Sequence, residues 1–195
     1  MQRAYDHIFH DALLQKLPLI YCMDRAGVVG EDGPTHHGVF DLSFMSTLPG
    51  MIVSAPKDGN ELYDLLYTAV NSSTIFSIRY PKENTSFNSK HKPSLIQLGT
   101  WEVLKQGKDI CILTFGSMVE PSLDVVKYFK TEFEINISLI NCRFIKPIDT
   151  KLLNDLLSTH NNFLVIEEGQ ISGGFGSSIL EYFSFNSINK NIKLM

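Results

Sequence analysis

The composition is that of an ordinary globular chain. Its 195 residues are 44% hydrophobic and 19% charged, which suits one large domain or two small ones. A formal net charge of -4, with scattered lysines and arginines, does not give the basic patch that a nucleic-acid-binding protein needs. No run of about 18 apolar residues is present, so we expect no membrane span.

Short apolar runs recur along the chain and predict buried strands. They occupy residues 19–23, 51–54, 74–78, 110–115, 135–140 and 163–166. Several of the intervals between them carry apolar residues at the period of a helix, namely 60–70, 120–129 and 151–157. Because strands and helices alternate, we predict an α/β fold with mainly parallel sheets.

A polar stretch without periodicity, residues 81–99, separates two units and is typical of a linker. We therefore predict a first unit at 1–82, a linker at 83–99 and a second unit at 100–195. The first unit is small for an independent core, so we expect it to pack against another part of the protein. The chain ends within what reads as a strand, and we expect the second unit to be incomplete.

The cysteines, Cys22, Cys111 and Cys142, lie far apart, inside or beside apolar runs, and without a C-x-x-C spacing. We expect reduced thiols in the core rather than disulfides or metal ligands. The amino end lacks the pattern of a secretory signal, so we expect a reducing, cytoplasmic compartment. For His7 and His10, packing or solvent exposure is favoured over a metal site.

Residues 24–38 form the densest polar segment, directly after a predicted strand. They include four glycines, two adjacent histidines, three acids and an arginine. In an open α/β sheet, ligands bind where polar loops leave the carboxyl ends of strands. Arg25 can hold an anion, and His36 or His37 can move a proton near neutral pH. A solvated loop in which Gly and Pro only make turns is the alternative, and local chemistry leaves it open.

The run DRAGVVGEDGPTHHGVFD, residues 24–41, resembles the corresponding loop of the 1-deoxy-D-xylulose-5-phosphate synthase family, within the transketolase superfamily. Further blocks of this resemblance keep the family's order along the chain. They are QRAYDHIFHDALLQKLP, LPGMIVSAPKDGNEL, SIRYPK, FGSM, FIKPID and EEGQISGGFGSS. An ordered series over nearly the whole chain is more specific than any single motif.

The resemblance implies the end of a pyrimidine-binding domain followed by a transketolase carboxyl-terminal domain. It implies a homodimeric transferase that uses thiamine diphosphate and Mg²⁺. Such an enzyme decarboxylates pyruvate and passes the two-carbon unit to D-glyceraldehyde 3-phosphate, an early step towards isoprenoids. In the family, the residues that bind the cofactor precede the position of Met1. We therefore expect a carboxyl-terminal fragment that has no synthase activity alone.

The resemblance also implies roles for individual residues. His36 matches the histidine beside the reacting carbon, where an imidazole can hydrogen-bond a developing alkoxide or carry its proton. Arg25 and the segment 77–82 match the site of the acceptor's phosphate. Asp32 matches an acid near the donor, and Arg3 matches an arginine near the mouth of the active site. For each of these, a surface ion pair is the alternative.

One departure from the family lies at Lys82, where the family usually has arginine followed by glycine. Lysine keeps the positive charge but lacks the planar fork of a guanidinium, and Glu83 adds a negative neighbour. The affinity for the acceptor's phosphate is therefore expected to be lower. Arg79 could compensate as a substrate-binding residue or could be held in a buried structural pair, and the sequence leaves both possibilities open.

The glycine-rich run after Glu167 and Glu168 lacks the third glycine of a nucleotide-binding fingerprint, and we predict a tight strand-to-helix turn there. Two further interpretations of the whole chain stay open. One is another transketolase-type enzyme, such as transketolase itself or the beta subunit of a 2-oxo-acid dehydrogenase. The other is a non-catalytic binding or dimerisation module, which would cover exposed apolar surface.

Overall fold

The computed structural model describes residues 2–195, and its first sheet has four strands. In spatial order these are β1 (Ile20–Met23), β3 (Phe76–Arg79), β2 (Ile52–Ser54) and β7 (Phe144–Lys146). The first three strands are parallel, whereas β7 is antiparallel to β2. Because β7 comes from the carboxyl-terminal part of the chain, this sheet takes strands from both sides of residues 83–99.

The second sheet has five strands. In spatial order these are β4 (Glu102–Lys105), β6 (Ile137–Asn141), β5 (Ile110–Thr114), β8 (Asn162–Ile166) and β9 (Asn191–Leu194). Only β4 runs antiparallel to its neighbour. The two central strands β5 and β6 are nearly continuous apolar runs, as expected for parallel strands that are covered on both faces. The predicted α/β class with mainly parallel sheets is confirmed.

Helices connect the strands and cover the sheets. The chain starts with three short helical segments: a turn at Gln2–Ala4, α1 (Tyr5–His7) and a π-helical segment at Ile8–Leu13. The later helices are α2 (Asp41–Ser46), α3 (Gly59–Val70), α4 (Val119–Phe133), α5 (Thr150–Thr159) and α6 (Phe175–Phe185). The side chain of Asp58 caps α3 by accepting from the Glu61 N–H, and that of Asp149 caps α5 by accepting from the Leu152 N–H. No helix within residues 2–195 is long and apolar enough to cross a membrane.

The predicted strands and helices between 19 and 166 are all present, with ends shifted by a few residues. The stretch 81–99 contains no helix or strand, and it is fastened along α3. Asn60, Asp64 and Thr68, each four residues apart, receive hydrogen bonds from backbone N–H groups of this stretch. Because residues at i and i+4 share a helix face, one face of α3 holds the whole segment.

The hydrophobic core is continuous between the two sheets. Phe76 and Phe144 pack edge to face with ring centroids 6.3 Å apart, and Trp101 packs on Phe175 at 5.8 Å. The indole N–H of Trp101 donates to the carbonyl of Phe144 at 2.8 Å. These side chains belong to one buried cluster, so the first unit packs against the second, as its small size predicted.

A buried ion pair lies where β3 ends. The Nε of Arg79 donates to Oδ2 of Asp41 at 2.8 Å, and only 4% and 9% of the two side chains are exposed. The Nη2 of Arg79 also donates to the carbonyl oxygens of Gly38 and Glu168, each at 3.1 Å. The guanidinium therefore joins the end of β3, the start of α2 and the residues after β8.

Replacing Asp41 by alanine should destabilise the fold strongly, because it leaves the Arg79 charge buried without its partner. We expect a loss of about 3–5 kcal/mol in the free energy of unfolding, measured by urea denaturation. The matched control is Asp11→Ala, which removes a carboxylate from an exposed pair with His7 and should change stability by about 0.5 kcal/mol or less. Equal effects of the two substitutions would contradict this view of the buried pair.

Candidate functional site

The loop after β1 is closed at its base by two glycines. Gly27 and Gly38 exchange two backbone hydrogen bonds of 2.9 Å. A Cβ at Gly38 would overlap the carbonyl of Arg25, and a Cβ at Gly27 would overlap the carboxylate of Glu168. Gly27 also has a positive φ of 81°, which side-chain-bearing residues rarely adopt. Only glycine at both positions allows this close approach of the backbone.

Two cations share one carboxylate on this loop. Oδ2 of Asp32 accepts from Nε of Arg25 at 2.7 Å, and Oδ1 of Asp32 accepts from Nζ of Lys82 at 2.8 Å. Arg25 also donates through Nη1 to Asp24 at 2.7 Å. Hydrogen bonds from Lys82 and Arg25 hold the pKa of the Asp32 carboxyl below its usual value. The structure thus places Asp32, which the resemblance assigned near the donor, between two cations that it assigned to the site of the acceptor's phosphate.

A cavity of about 450 Å³ opens beside Arg25. Its walls include Cys22, His36, His37 and Phe44. Nδ1 of His36 lies 2.9 Å from the hydroxyl of Thr35, and the side chain of His36 is exposed to the cavity. An exposed imidazole beside a guanidinium can exchange a proton with a small anionic molecule that enters this cavity.

The two adjacent histidines have different surroundings. Nδ1 of His37 accepts the backbone N–H of Val29 at 2.9 Å, so this ring supports the loop from within. Because an accepting Nδ1 carries no proton, the neutral ring of His37 has its proton on Nε2. His36 makes no such contact with the backbone and is the better placed of the two for chemistry in the cavity.

Two predicted site residues lie apart from this group. Arg3 is exposed, lies in the helical turn Gln2–Ala4, and is not among the residues that line the cavity. Arg79 is buried, and its Nε and Nη2 donate to Asp41, Gly38 and Glu168. Of the two possibilities that the sequence left open for Arg79, the buried structural pair is the arrangement found.

Comparisons with known proteins agree with this architecture. The model of the transketolase pyrimidine-binding domain matches residues 1–87, and that of the transketolase C-terminal domain matches residues 99–195. The 1-deoxy-D-xylulose-5-phosphate synthase of Dictyoglomus thermophilum is 46% identical over 98% of this chain, and that of Aquifex aeolicus is 44% identical over 98%. The chain belongs to the transketolase family.

The chain spans only part of its relatives. It covers 31% of the length of the Dictyoglomus thermophilum synthase and 30% of the Aquifex aeolicus synthase. Among solved structures, a split-gene transketolase described as an inactive beta4 tetramer superposes with a TM-score of 0.86 at 26% identity, covering 98% of this chain and 61% of that one. A transketolase mutant from Pichia stipitis shows the same fold, with a TM-score of 0.66 at 21% identity, over 94% of this chain and 26% of that one.

Glu167 and Glu168 of this transketolase-family chain make the contacts that sequence reasoning missed. Oε2 and Oε1 of Glu167 accept the backbone N–H groups of Phe175 and Gly176 at 2.9 and 3.1 Å. The amino terminus of α6 therefore already holds a carboxylate, and the glycine-rich run makes the predicted tight turn into this helix. Burial raises the pKa of Glu167, and the two N–H donors oppose the rise.

Glu168 reaches back to the loop of the first unit. Its Oε1 accepts the backbone N–H of Val28 at 2.8 Å, and its Oε2 accepts the hydroxyl of Ser117 at 2.6 Å. The sequence block EEG pointed to the family, but the sequence gives no local sign of a partner 140 positions away.

Among residues 2–195, no group of three or more His, Cys, Asp or Glu side chains could hold a metal ion.

The cysteines differ in exposure, which corrects one expectation. Cys111 and Cys142 are buried as predicted, but Cys22 is exposed and lines the cavity beside Arg25. The prediction of a core thiol was wrong for Cys22 because successive side chains of a strand point to opposite faces of the sheet, and Cys22 lies on the face of the edge strand β1 that lines the cavity. Burial raises the pKa of the Cys111 thiol to about 12 and that of Cys142 well above its usual value.

A thiol reagent at pH 8 should therefore modify one cysteine per folded chain, at Cys22. The two buried thiols are protonated at this pH and sterically covered, so they should react only after unfolding. Peptide mass spectrometry after brief treatment with iodoacetamide measures the site. Cys22→Ala should abolish the labelling of the folded chain, whereas fast labelling of Cys111 would contradict the burial described here.

Proposed function

We propose that this chain forms the acceptor-binding part of a 1-deoxy-D-xylulose-5-phosphate synthase. The complete enzyme would condense pyruvate with D-glyceraldehyde 3-phosphate to give 1-deoxy-D-xylulose 5-phosphate and CO₂, with thiamine diphosphate as cofactor. The observation that carries the proposal is the pair of cations, Arg25 and Lys82, that share the Asp32 carboxylate; Arg25 also lines the cavity that contains His36. The close similarity to synthases of this name supports the reaction.

The charges of this group favour a phosphate ester over a neutral ligand. Arg25 and Lys82 present two positive charges, which are balanced by the Asp32 carboxylate between them and by the exposed Asp24 carboxylate on Arg25. A phosphate monoester carries a charge of about -1.5 to -2 at pH 7 and three strong acceptor oxygens. It can therefore replace the Asp32 carboxylate between the two cations and form charge-assisted hydrogen bonds with both. The single charge of Lys82 adds attraction without the two-pronged geometry of an arginine.

The position of the cations follows from the sheet. Arg25 comes two residues after β1 and Lys82 three residues after β3, and these strands are parallel neighbours. The carboxyl ends of parallel neighbours lie at the same edge of the sheet, so the two loops meet there. We propose that a phosphate held between Arg25 and Lys82 lets the rest of a three-carbon aldehyde reach the cavity that Arg25 and His36 both line.

His36 is proposed to serve the carbonyl end of the acceptor. Its imidazole faces the cavity, and Thr35 fixes the ring by the contact at Nδ1. An imidazole in this place can donate a hydrogen bond to the aldehyde oxygen and then a proton as that oxygen becomes an alkoxide. We propose Asp32 as the counter-ion of the phosphate-binding pair, Arg79 as a positioning residue, and Arg3 as a residue of the mouth of the active site.

Residues 2–195 do not fit the site of the cofactor's metal ion. No suitable cluster of carboxylates, thiols or imidazoles is present among them. We propose that thiamine diphosphate and Mg²⁺ are both bound by parts of the enzyme beyond the 30–31% of the relatives' length that this chain spans.

The chain has three cysteines and no disulfide, which suits the reducing conditions of the cytoplasm, the compartment that we propose for it.

A second candidate function is a non-catalytic assembly module. The split-gene transketolase that superposes on 98% of this chain is described as an inactive beta4 tetramer, so a chain of this kind can assemble with copies of itself. We propose that the complete synthase is a homodimer. Turnover of pyruvate and D-glyceraldehyde 3-phosphate by a complete synthase that carries this chain would separate the enzyme from the module.

Arg25→Ala in such a complete synthase should weaken use of the phosphorylated acceptor selectively. We expect kcat/KM for D-glyceraldehyde 3-phosphate to fall about 10- to 150-fold, the range of one charged hydrogen bond of about 1.5–3 kcal/mol. With unphosphorylated D-glyceraldehyde, kcat/KM should change less than about threefold. Lys108→Ala, which removes an exposed cation of the second unit, is the control. An equal loss with both acceptors would contradict a phosphate-binding role.

His36→Ala should lower kcat rather than binding of the acceptor, because the imidazole acts on the oxygen that changes charge in the reaction. We expect a decrease of about 10²- to 10⁴-fold in kcat, with a small change in the KM for D-glyceraldehyde 3-phosphate. Steady-state kinetics measure both values. His10→Ala, at an exposed position on the first helical segment, should have no effect. Retention of full kcat by the His36 variant would refute the assignment.

A further inference from the structure

The second unit contacts the loop of the first unit through one carboxylate. Oε1 of Glu168 accepts the backbone N–H of Val28 at 2.8 Å, while Oε2 accepts the hydroxyl of Ser117 at 2.6 Å. Glu168 follows β8, and Ser117 precedes α4, so both belong to the second unit. The carboxylate thus bridges the second unit and the backbone of the loop.

The loop backbone is shaped to accept this carboxylate. Gly27 adopts a positive φ of 81° and leaves no room for a Cβ, because the Glu168 carboxylate occupies that space. The main chain of Glu168 is also fixed, since its carbonyl accepts Nη2 of the buried Arg79 at 3.1 Å. The side chain of Glu168 therefore contacts the loop at Val28, and its backbone contacts Arg79, which in turn donates to the carbonyl of Gly38 at the end of the loop.

The contact lies within the segment that carries the phosphate-binding groups. Val28 stands three residues after Arg25 and four before Asp32, and it directly follows the Gly27–Gly38 closure. We propose that Glu168 is a positioning residue, through which the second unit holds the loop with Arg25 and Asp32 in place to bind the acceptor's phosphate. This inference rests on the proposed function, because it concerns the same phosphate site.

A conservative variant separates positioning from a simple loss of stability. In Glu168→Gln, the side-chain oxygen can accept the Val28 N–H, and the amide nitrogen can donate to the hydroxyl oxygen of Ser117. In Glu168→Ala, the Val28 N–H loses its acceptor. Glu181→Ala is the matched control, because it removes an exposed carboxylate from α6 of the same unit.

The test combines hydrogen–deuterium exchange with calorimetric titration on the 195-residue chain. Glu168→Ala should speed exchange in the peptide that contains Val28, while peptides from β5 and β6 keep the wild-type rate. The dissociation constants for D-glyceraldehyde 3-phosphate and for inorganic phosphate should rise about tenfold, which corresponds to one hydrogen bond of about 1.4 kcal/mol. Glu168→Gln and Glu181→Ala should stay close to the wild-type chain in both measurements.

The outcomes distinguish this inference from the proposed function. Faster exchange confined to the loop, restored by glutamine, supports positioning even if the wild-type chain binds no phosphate, in which case the phosphate site is the part that fails. A wild-type chain that binds phosphate and is unaffected by Glu168→Ala overturns the positioning role and leaves the phosphate site intact. Exchange that rises equally throughout the Glu168→Ala chain would also overturn it, because it shows a general loss of stability.

Discussion

The guanidinium of Arg79 is the contact on which the rest of the site depends. It is almost completely buried, pairs with Asp41, donates to the carbonyls of Gly38 and Glu168, and lies 5.9 Å from the ring centroid of Phe115. A buried charge is tolerated only when its partners are in place. The end of the loop, the start of α2 and the residues after β8 must therefore come together for the chain to fold.

The buried pair and the exposed cations have different uses. Arg79 is held through Nε and Nη2 by neighbours that belong to the fold, and only 4% of its side chain is exposed. Arg25 and Lys82 are each a little over two-fifths exposed and meet a carboxylate that solvent can reach. An exposed ion pair contributes little to stability and exchanges its partner readily. The site thus places exchangeable charges on a loop that a rigid interior supports, an arrangement common in binding sites.

Much of the fold could be predicted because the central strands are continuous apolar runs and several helices show a clear period. The strands that escaped prediction had weak local patterns: β4 alternates partly buried and exposed residues, and β7 has three residues. That β7 joins the first sheet depends on packing between distant parts of the chain, which no local pattern records. The exposure of Cys22 likewise depends on β1 lying at a sheet edge, and edge position is set by the complete topology.

For the site, the loop at 24–38 stood out in the sequence through its density of polar residues and glycines. The shared carboxylate of Asp32 could not be predicted, because it depends on the distance between two loops on neighbouring strands. Glu168 was seen only as part of a turn, since its partners Val28 and Ser117 lie 140 and 51 positions away. Residue types can be read locally, whereas the pairing of charges requires the three-dimensional arrangement.

The most direct test of the central claim is a crystal structure of a complete synthase that carries this chain, soaked with D-glyceraldehyde 3-phosphate. We predict phosphate oxygens within about 3 Å of the side-chain nitrogens of both Arg25 and Lys82, with Asp32 released from at least one of them. A phosphate bound elsewhere, with Asp32 still bridging the two cations, would contradict it.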